Sequence, residues 1–313
     1  MGSYVPPPPP DEQGPVRRGQ SGYEPEILPP GPGYGPAPQT ERRPRRSWAT
    51  APATYLLVGI NCAVFLEMVA HHVSAGNPTV GQLMNWGADN AGSVLIQGQW
   101  WRIVTAMFVH VGFIHLATNM WCLWNLGLLA EPLLGSAGLL AVYILTGAAG
   151  NLLSTLVNWS WLYPDWAKYQ AEWVTRHVGG PALDPALVFP AGAGASGAVF
   201  GIAGALIVLL KSTRLPVPPA ELKRLRRSVI YFAAINLVIG FSIWGGNLVV
   251  HSGLNIDNMA HLGGFTCGLL FAAPLVPRIG SPRRLFVTRL RTAVGIVVGL
   301  LVLFGFYLEQ LPK

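Results

Sequence analysis

The chain has 313 residues, of which 51% are hydrophobic and only 11% are charged, and its mean hydropathy is +0.41. So few charged residues cannot cover the surface of a soluble globular protein. The composition therefore indicates a membrane protein. The formal charge of +7 does not indicate a nucleic-acid-binding protein, because Lys and Arg cluster in short runs between apolar segments, where they set membrane orientation.

The first 46 residues differ from the rest of the chain. They hold about half of the prolines, including five in a row at 6–10, and they end in an arginine-rich run. Such a segment cannot bury enough apolar surface to offset its chain entropy, so we predict a disordered, partly polyproline II tail over 1–46. A solvated tail is the simplest interpretation. A partner with an aromatic groove is the alternative, and its identity is not readable from the residues.

Seven stretches after the tail are long enough to cross a bilayer, whose core takes about 20 apolar residues. We predict spans at 53–72, 112–131, 137–157, 192–210, 228–249, 256–276 and 291–308. The chain then divides into the tail over 1–46, a six-helix core over 47–280 and one further C-terminal span within 281–313. The fold class is therefore an all-α polytopic membrane protein.

Three basic clusters set the predicted orientation. They lie at 42–46, at 211–227 and at 278–291. With the amino terminus inside, all three clusters face the cytoplasm, as the positive-inside rule requires. Seven spans then place the carboxy terminus outside. We expect a multi-pass protein of a bacterial plasma membrane, because no organelle-directed segment is evident.

Polar clusters open the second, fourth and sixth segments, which all run from outside to inside. They are "HVGFIHLATN" at 110–119, "GASG" at 194–197 and "NIDNMAHLGG" at 255–264. At about 1.5 Å of rise per residue, His261 lies on the order of 8 Å below the outer rim. Ser196, His115 and Asn119 reach similar depths. Ionisable side chains within the membrane are interpreted first as parts of functional sites. Because the residues of the three clusters share one depth, we predict a single site.

A serine and a histidine at one depth favour acyl-transfer chemistry. A serine hydroxyl is a weak nucleophile until a neutral imidazole takes its proton. The oxyanion that forms needs hydrogen-bond donors, and His115 and Asn119 share one helix face four residues apart. Gly264 and Gly268 form a GxxxG step that lets segment six pack tightly on segment four. The three cysteines all lie in apolar stretches, and we expect no metal and no cofactor.

These motifs resemble those of the rhomboid intramembrane serine proteases, over most of the membrane region. "GASG" is similar to the family's GxSG motif, "AHLGG" to its Ala–His element with a following glycine, and "HVGFIHLATN" to its HxxxxHxxxN pattern. "WR" at 101–102 and "EPLLGS" at 131–136 match two further elements. The resemblance implies a rhomboid-like six-helix bundle, here with a seventh C-terminal transmembrane helix.

The resemblance also implies a role for each matched residue. Ser196 is the nucleophile and His261 the base, while His115 and Asn119 line the oxyanion hole. Near the site, the structural residues are Gly194, Gly197, Phe200, Gly264, His110, Trp101 and Arg102. Phe200 occupies the position of a ring that packs on the histidine, and Arg102 is an interfacial or loop-ordering group and not a catalytic one. Asp257 could orient His261 in a triad, but the family uses a Ser–His dyad.

The implied function is hydrolysis of peptide bonds in or near transmembrane segments of single-span or other membrane proteins. Two other functional classes compete with this one. A catalytically dead relative would capture such segments without cutting, and the presence of both Ser196 and His261 disfavours it. A transporter would need charged groups through the middle of the bilayer, whereas these polar groups gather at one end. Nucleic acid is not an expected partner.

Two further expectations concern surrounding segments. We predict a long third external loop over about 158–190, part of which lies flat on the membrane because it is rich in Trp and Tyr. We also predict lateral substrate entry past segment five, with Phe241 and Trp244 as a mobile gate.

Overall fold

The computed structural model describes residues 51–176, 189–212, 215, 217–245, 257–278 and 282–312. The predicted tail over 1–46 lies outside these residues, and so do the side chains of Phe241 and Trp244. The disordered tail and the gate therefore stay predictions.

The described chain is almost entirely helical, which confirms the all-α fold class. The long helices are α1 (Pro52–Ala70), α5 (Phe113–Leu134), α6 (Ser136–Arg176), α7 (Ser196–Leu209), α8 (Pro219–Gly245), α9 (Asn258–Ala272) and α10 (Arg283–Glu309). Between α1 and α5 lie the short helices α2 (Val80–Asn85), α3 (Ala91–Leu95) and α4 (Arg102–Thr105). A 3-10 turn, Ala273–Arg278, follows α9. Strand β1 (Asp89–Asn90) pairs antiparallel with strand β2 (Ala191–Gly192).

Each of the seven predicted spans overlaps one of the long helices. Four described helical segments are long and apolar enough to cross a membrane: Pro52–Ala70, Ser136–Asp165, Asn258–Val276 and Arg283–Glu309. Helix α7 is apolar but shorter. Lipid offers no hydrogen bonds to a backbone, so apolar segments of this length must be helical there. The count of seven spans remains a prediction.

Helix α7 is the centre of the bundle. It packs against α5, α6, α8 and α9, and every residue from Gly197 to Leu206 is buried. Its 14 residues make a helix about 21 Å long, shorter than the roughly 30 Å hydrocarbon core. At least one end of α7 therefore lies below the membrane surface.

Helices α7 and α9 touch backbone to backbone. A Cβ added at Gly264 would overlap the carbonyl oxygen of Gly197, and one added at Gly268 would overlap that of Gly201. Because 197 meets 264 and 201 meets 268, the two helices run parallel and begin at the same end of the bundle. This confirms the predicted tight packing of segment six on segment four.

Helix α6 contradicts the prediction of a loop from residue 158. It continues to Arg176, and its 41 residues span about 61 Å, twice the hydrocarbon thickness. Trp159 is buried, and its ring stacks on Phe189, 5.4 Å away and 12° from parallel. Trp159 and Tyr163 are one helical turn apart and pack together beside Phe189, which stabilises a helix where a membrane-surface loop was predicted. Residues 177–188 lie outside the described part.

A buried carboxylate ties the start of α1 to the end of α5. Glu131 accepts hydrogen bonds from the backbone N–H groups of Ala53 and Thr54, at 2.9 and 2.8 Å. The hydroxyls of Thr54 and Ser136 also donate to it. Glu131 therefore supplies acceptors to N–H groups at a helix start that have no partner within the helix.

The α7–α9 contact predicts a large stability difference between two glycine substitutions. We expect Gly268→Ala to lower the free energy of unfolding by about 3 kcal/mol, because its methyl group must push two helix backbones apart. Gly295→Ala on α10 is the control, because no atom lies within 4 Å of its added Cβ, and we expect a change of less than about 1 kcal/mol. Denaturation of both variants in detergent micelles measures the difference, and equal stabilities would contradict the packing.

Candidate active site

Ser196 is the first residue of α7 and follows a tightly fixed turn. Gly194 in this turn has a φ of +124°, and its backbone N–H donates to the carbonyl of Ala106 at 2.9 Å. The N–H of Ala195 donates to Nε2 of His110 at 3.4 Å. Both bonds join the turn to the segment just before α5. The position of Ser196 is therefore set from outside its own helix.

His110 holds this turn and is completely buried. Its Nε2 accepts from Ala195, so the proton lies on Nδ1, which donates to the carbonyl of Phe108 at 3.3 Å. Both ring nitrogens are thus used in structural hydrogen bonds. This arrangement supports the structural role predicted for His110.

His115 and Asn119 lie on the first turns of α5, beside the Ser196 turn. The His115 ring packs on Gly194, where an added Cβ would lie 2.6 Å from its Cε1 atom. Asn119 is buried, and its Nδ2 donates to the carbonyl of His115 at 3.0 Å. Nδ2 carries two protons, so one N–H remains for another acceptor.

His261 lies in the first turn of α9 and is 7% exposed. Its ring stacks on Phe200, with centroids 4.3 Å apart and planes 15° from parallel. Phe200 is one turn after Ser196 on α7, so the imidazole lies over the first turns of that helix. The structure therefore places the Phe200 ring directly against the imidazole. Gly197 and Gly264 allow this approach because neither places a side chain between the helices.

The acid–base hydrogen bond itself is not formed in this structure. Ser196 and His261 both belong to the described residues, and no direct hydrogen bond joins their side chains. Within the same described set, Nδ1 of His261 is buried without a partner. Catalytic hydrogen bonds are often long before substrate binds, and small shifts of the serine rotamer change this distance.

Asp257 does not complete a triad with His261. One carboxylate oxygen accepts from the backbone N–H of Ala260 at 2.9 Å, which caps α9. The other accepts from the hydroxyl of Ser154 on α6. Neither carboxylate oxygen accepts a hydrogen bond from the His261 imidazole, so this geometry favours a dyad over a triad.

Trp101 and Arg102 order the loop between α1 and α5. The guanidinium of Arg102 donates to the carbonyls of Met84 and Ala88, at 2.7 and 2.8 Å. It also lies over the half-exposed ring of Trp101, 4.5 Å from its centroid. These hydrogen bonds compensate the buried charge of the Arg102 guanidinium and hold the loop in place. They fit the loop-ordering role expected of Arg102.

Sequence reasoning missed Asp89 and Asn90 in that loop. The Asn90 side chain donates to the carbonyl of Phe189, and its oxygen caps Ser93 at the start of α3. Asp89 pairs with Gly192, four residues before Ser196. Asp89 is the single acidic residue in the sequence between α1 and α5, which was a signal, but nothing local indicates a partner about 100 residues away.

The arrangement suits acyl transfer. A hydroxyl stands at the start of a helix, an imidazole lies over the same turns, and donors from α5 lie beside it. The first N–H groups of a helix have no partner within it, and they carry a partial positive charge. In the described part of the chain, no group of three or more His, Cys, Asp or Glu side chains is arranged to hold a metal ion.

Comparison with known proteins identifies relatives of this chain. The family model for the Rhomboid domain matches residues 97–278. The rhomboid protease GluP of Bacillus subtilis (strain 168) is 30% identical over 255 residues, covering 81% of this chain and 40% of that protein. The rhomboid protease AarA of Providencia stuartii is 28% identical over 261 residues, covering 82% of each. RHOMBOID-like protein 1 of Arabidopsis thaliana is 29% identical over 212 residues, covering 66% of this chain and 44% of that protein. The chain thus spans less than half the length of two of these relatives.

The Ser196 turn predicts that Gly194 cannot be replaced. We expect Gly194→Ala to lower the free energy of unfolding by about 2 to 4 kcal/mol, because φ is unfavourable and the new methyl group meets the His115 ring. Gly98→Ala is the matched control: its φ is +68° but its surroundings are open, so only about 1 kcal/mol is expected. Chemical denaturation compares the two. Equal losses would show that the ring contact does not matter.

Proposed function

The chain belongs to the rhomboid family of serine proteases, and on that premise we propose that it cleaves membrane proteins with Ser196 and His261 as a catalytic dyad. The observation that carries this proposal is the stacking of His261 on Phe200, one turn from Ser196 on a short, buried helix. The substrates are peptide bonds in or near transmembrane segments of single-span or other membrane proteins.

The reaction runs through an acyl-enzyme. His261 takes the proton of the Ser196 hydroxyl, and Oγ attacks the scissile carbonyl carbon. The tetrahedral intermediate collapses when the imidazolium gives its proton to the leaving amine and the C–N bond breaks. Water, deprotonated by His261, then attacks the ester carbonyl, and the proton returns to Oγ as the carboxylic product leaves.

The oxyanion is stabilised by groups from two helices. His115 and the free N–H of Asn119 supply side-chain donors from α5, and Ser196 supplies a backbone N–H at the start of α7. The turn before Ser196 ends in Ala195, whose side chain cannot cap the helix, so the first N–H groups stay available for the anion.

The substrate must be unwound before it is cut. Backbone amides of a transmembrane helix are hidden in hydrogen bonds, so segments weakened by Gly or Pro near the cut are preferred. Because Gly194 brings the His115 ring against the Ser196 turn, little space is left there, which favours a small residue at the cleaved carbonyl. Water reaches the dyad from the outer side, with the amino terminus in the cytoplasm and the carboxy terminus outside. A bacterial plasma membrane is the proposed location.

Loss of either dyad residue is expected to abolish cleavage. We expect Ser196→Ala and His261→Ala to reduce processing of a co-expressed single-span substrate by at least about 1,000-fold, because no other group replaces the nucleophile or the base. Ser160→Ala and His71→Ala, both at exposed positions, are the controls and should cleave normally. A fluorophosphonate probe should label wild type but not Ser196→Ala. Equal processing by all variants would reject the dyad and leave a binding protein.

The oxyanion donors should affect turnover more than binding. We expect Asn119→Ala to lower kcat about 100-fold with little change in KM, because the lost donor acts mainly in the transition state. Asn125→Ala is a matched control on α5, since Asn125 is exposed and makes the same bond to the carbonyl four residues earlier. Steady-state kinetics on a fluorogenic transmembrane peptide separate kcat from KM. A change in KM alone would assign Asn119 to substrate binding.

A further inference from the structure

Two aspartates, the buried Asp89 and the half-buried Asp257, lie beside the strand that leads to Ser196. Asp89 on β1 pairs with Gly192 on β2, and Asp257 caps α9. A Cβ added at Gly192 would lie 3.6 Å from Oδ2 of Asp257 and 3.7 Å from Cβ of Asp89. The strand before the nucleophile therefore passes between a carboxyl group of the loop and one at the start of the His261 helix.

The hydrogen bonds of the two carboxyl groups are unequal. Both oxygens of Asp257 have good donors, Ala260 N–H and the Ser154 hydroxyl. Asp89 is only 5% exposed, yet its nearest side-chain donor, the Thr155 hydroxyl, is 3.4 Å from Oδ2. Among the described residues, its Oδ1 atom has no partner at all. An ionised oxygen in that position is costly, whereas a protonated one is not.

We propose that Asp89 carries a proton beside the ionised Asp257 and that, in this state, the two residues hold the strand before Ser196 against the first turn of the His261 helix. Both are positioning residues, since neither touches the reacting atoms. Two negative charges on either side of one strand residue repel each other strongly where one of them is buried, so loss of the proton drives the strand and the helix apart. This inference rests on the proposed function, because the two aspartates limit the pH range over which that active site keeps its geometry.

The charges around Asp89 favour this assignment. Burial and the neighbouring charge of Asp257 together raise the pKa of Asp89 to about 7, against the opposing effects of the Asn90 backbone N–H, Thr155 and Arg102. The guanidinium of Arg102 donates hydrogen bonds to backbone carbonyls and not to Asp89. Helix α6 faces the pair with the uncharged side chains of Ser154 and Thr155. His177, Asp184 and His251 lie outside the described residues.

The sign of the stability effect follows from the direction of this shift. The pKa of Asp89 is higher in the folded protein than its ordinary value of 3.8, so the folded state binds more protons between about pH 4 and 7. Stability from this group is therefore greatest at low pH, falls as pH rises to about 7, and is constant above that. Asparagine mimics the protonated acid and does not titrate.

The test compares wild type with Asp89→Asn and Asp257→Asn in detergent, measuring Tm and kcat/KM from pH 5 to 8.5. Asparagine caps a helix as well as aspartate does, so Asp257→Asn keeps α9 intact. At pH 8 we expect the Tm of Asp89→Asn to exceed that of wild type by at least about 3 °C, with the difference shrinking steadily as the pH falls from 7 to 5. The ratio of kcat/KM between variant and wild type should rise about tenfold from pH 7 to 8.5. Asp165→Asn, an exposed carboxyl on α6, should follow wild type throughout.

Several outcomes would overturn the proposal. Parallel Tm curves for wild type and both variants would show that Asp89 does not carry a proton in the folded protein. Stabilisation of wild type at pH 8 by millimolar CaCl₂, absent from Asp89→Asn, would show that a cation neutralises the pair instead. The Tm measurement works equally in a Ser196→Ala background. It therefore distinguishes failure of this proposal from failure of the proposed proteolytic function.

Discussion

The backbone contact between α7 and α9 is the constraint on which the site depends. Parallel helices that touch through Gly264 and Gly268 have almost no freedom to slide, because any side chain added there meets a carbonyl oxygen. The two helices begin at the same end, so a residue in the first turn of each comes to the same depth. Ser196 and His261 are those residues. Their proximity is thus a property of helix packing, and the stacked Phe200 ring fixes the imidazole within it.

The described polar groups around this contact fall into two sets. One set is fully bonded: His110 uses both ring nitrogens, and Asp257 uses both carboxylate oxygens. The other set, buried but unpartnered, contains Nδ1 of His261, the Asn258 amide and one oxygen of Asp89. Native proteins leave few buried polar atoms unpaired, and those that remain tend to mark functional sites. The bonded groups hold the scaffold, while the unpaired ones cluster at the start of α9 and beside β2.

The sequence predicted the helices well because a bilayer permits little else. Apolar runs of about 20 residues must be helical in lipid, and polar residues at their first turns stand out from that background. The α6 extension was missed although Trp159, Tyr163, Trp166 and Trp173 recur at helical spacing, because aromatic richness was interpreted as a membrane-surface signal. The pairing of Asp89 with Gly192 had no comparable signal. Two-residue strands about 100 positions apart carry no periodicity, and only the folded chain brings them together.

The unequal lengths of α6 and α7 explain how water and lipid can be separated at the site. Helix α6 continues far beyond the hydrocarbon core, whereas α7 is about 9 Å too short to cross it. The space above the start of α7 is flanked by the extended α6 and by the loop that contains β1, α3 and α4. Because Arg102, Asn90 and Trp159 fold that loop and the extended end of α6 onto the bundle, these elements shield the space from acyl chains. A hydroxyl at the start of a short helix can thus be under the surface and still meet water.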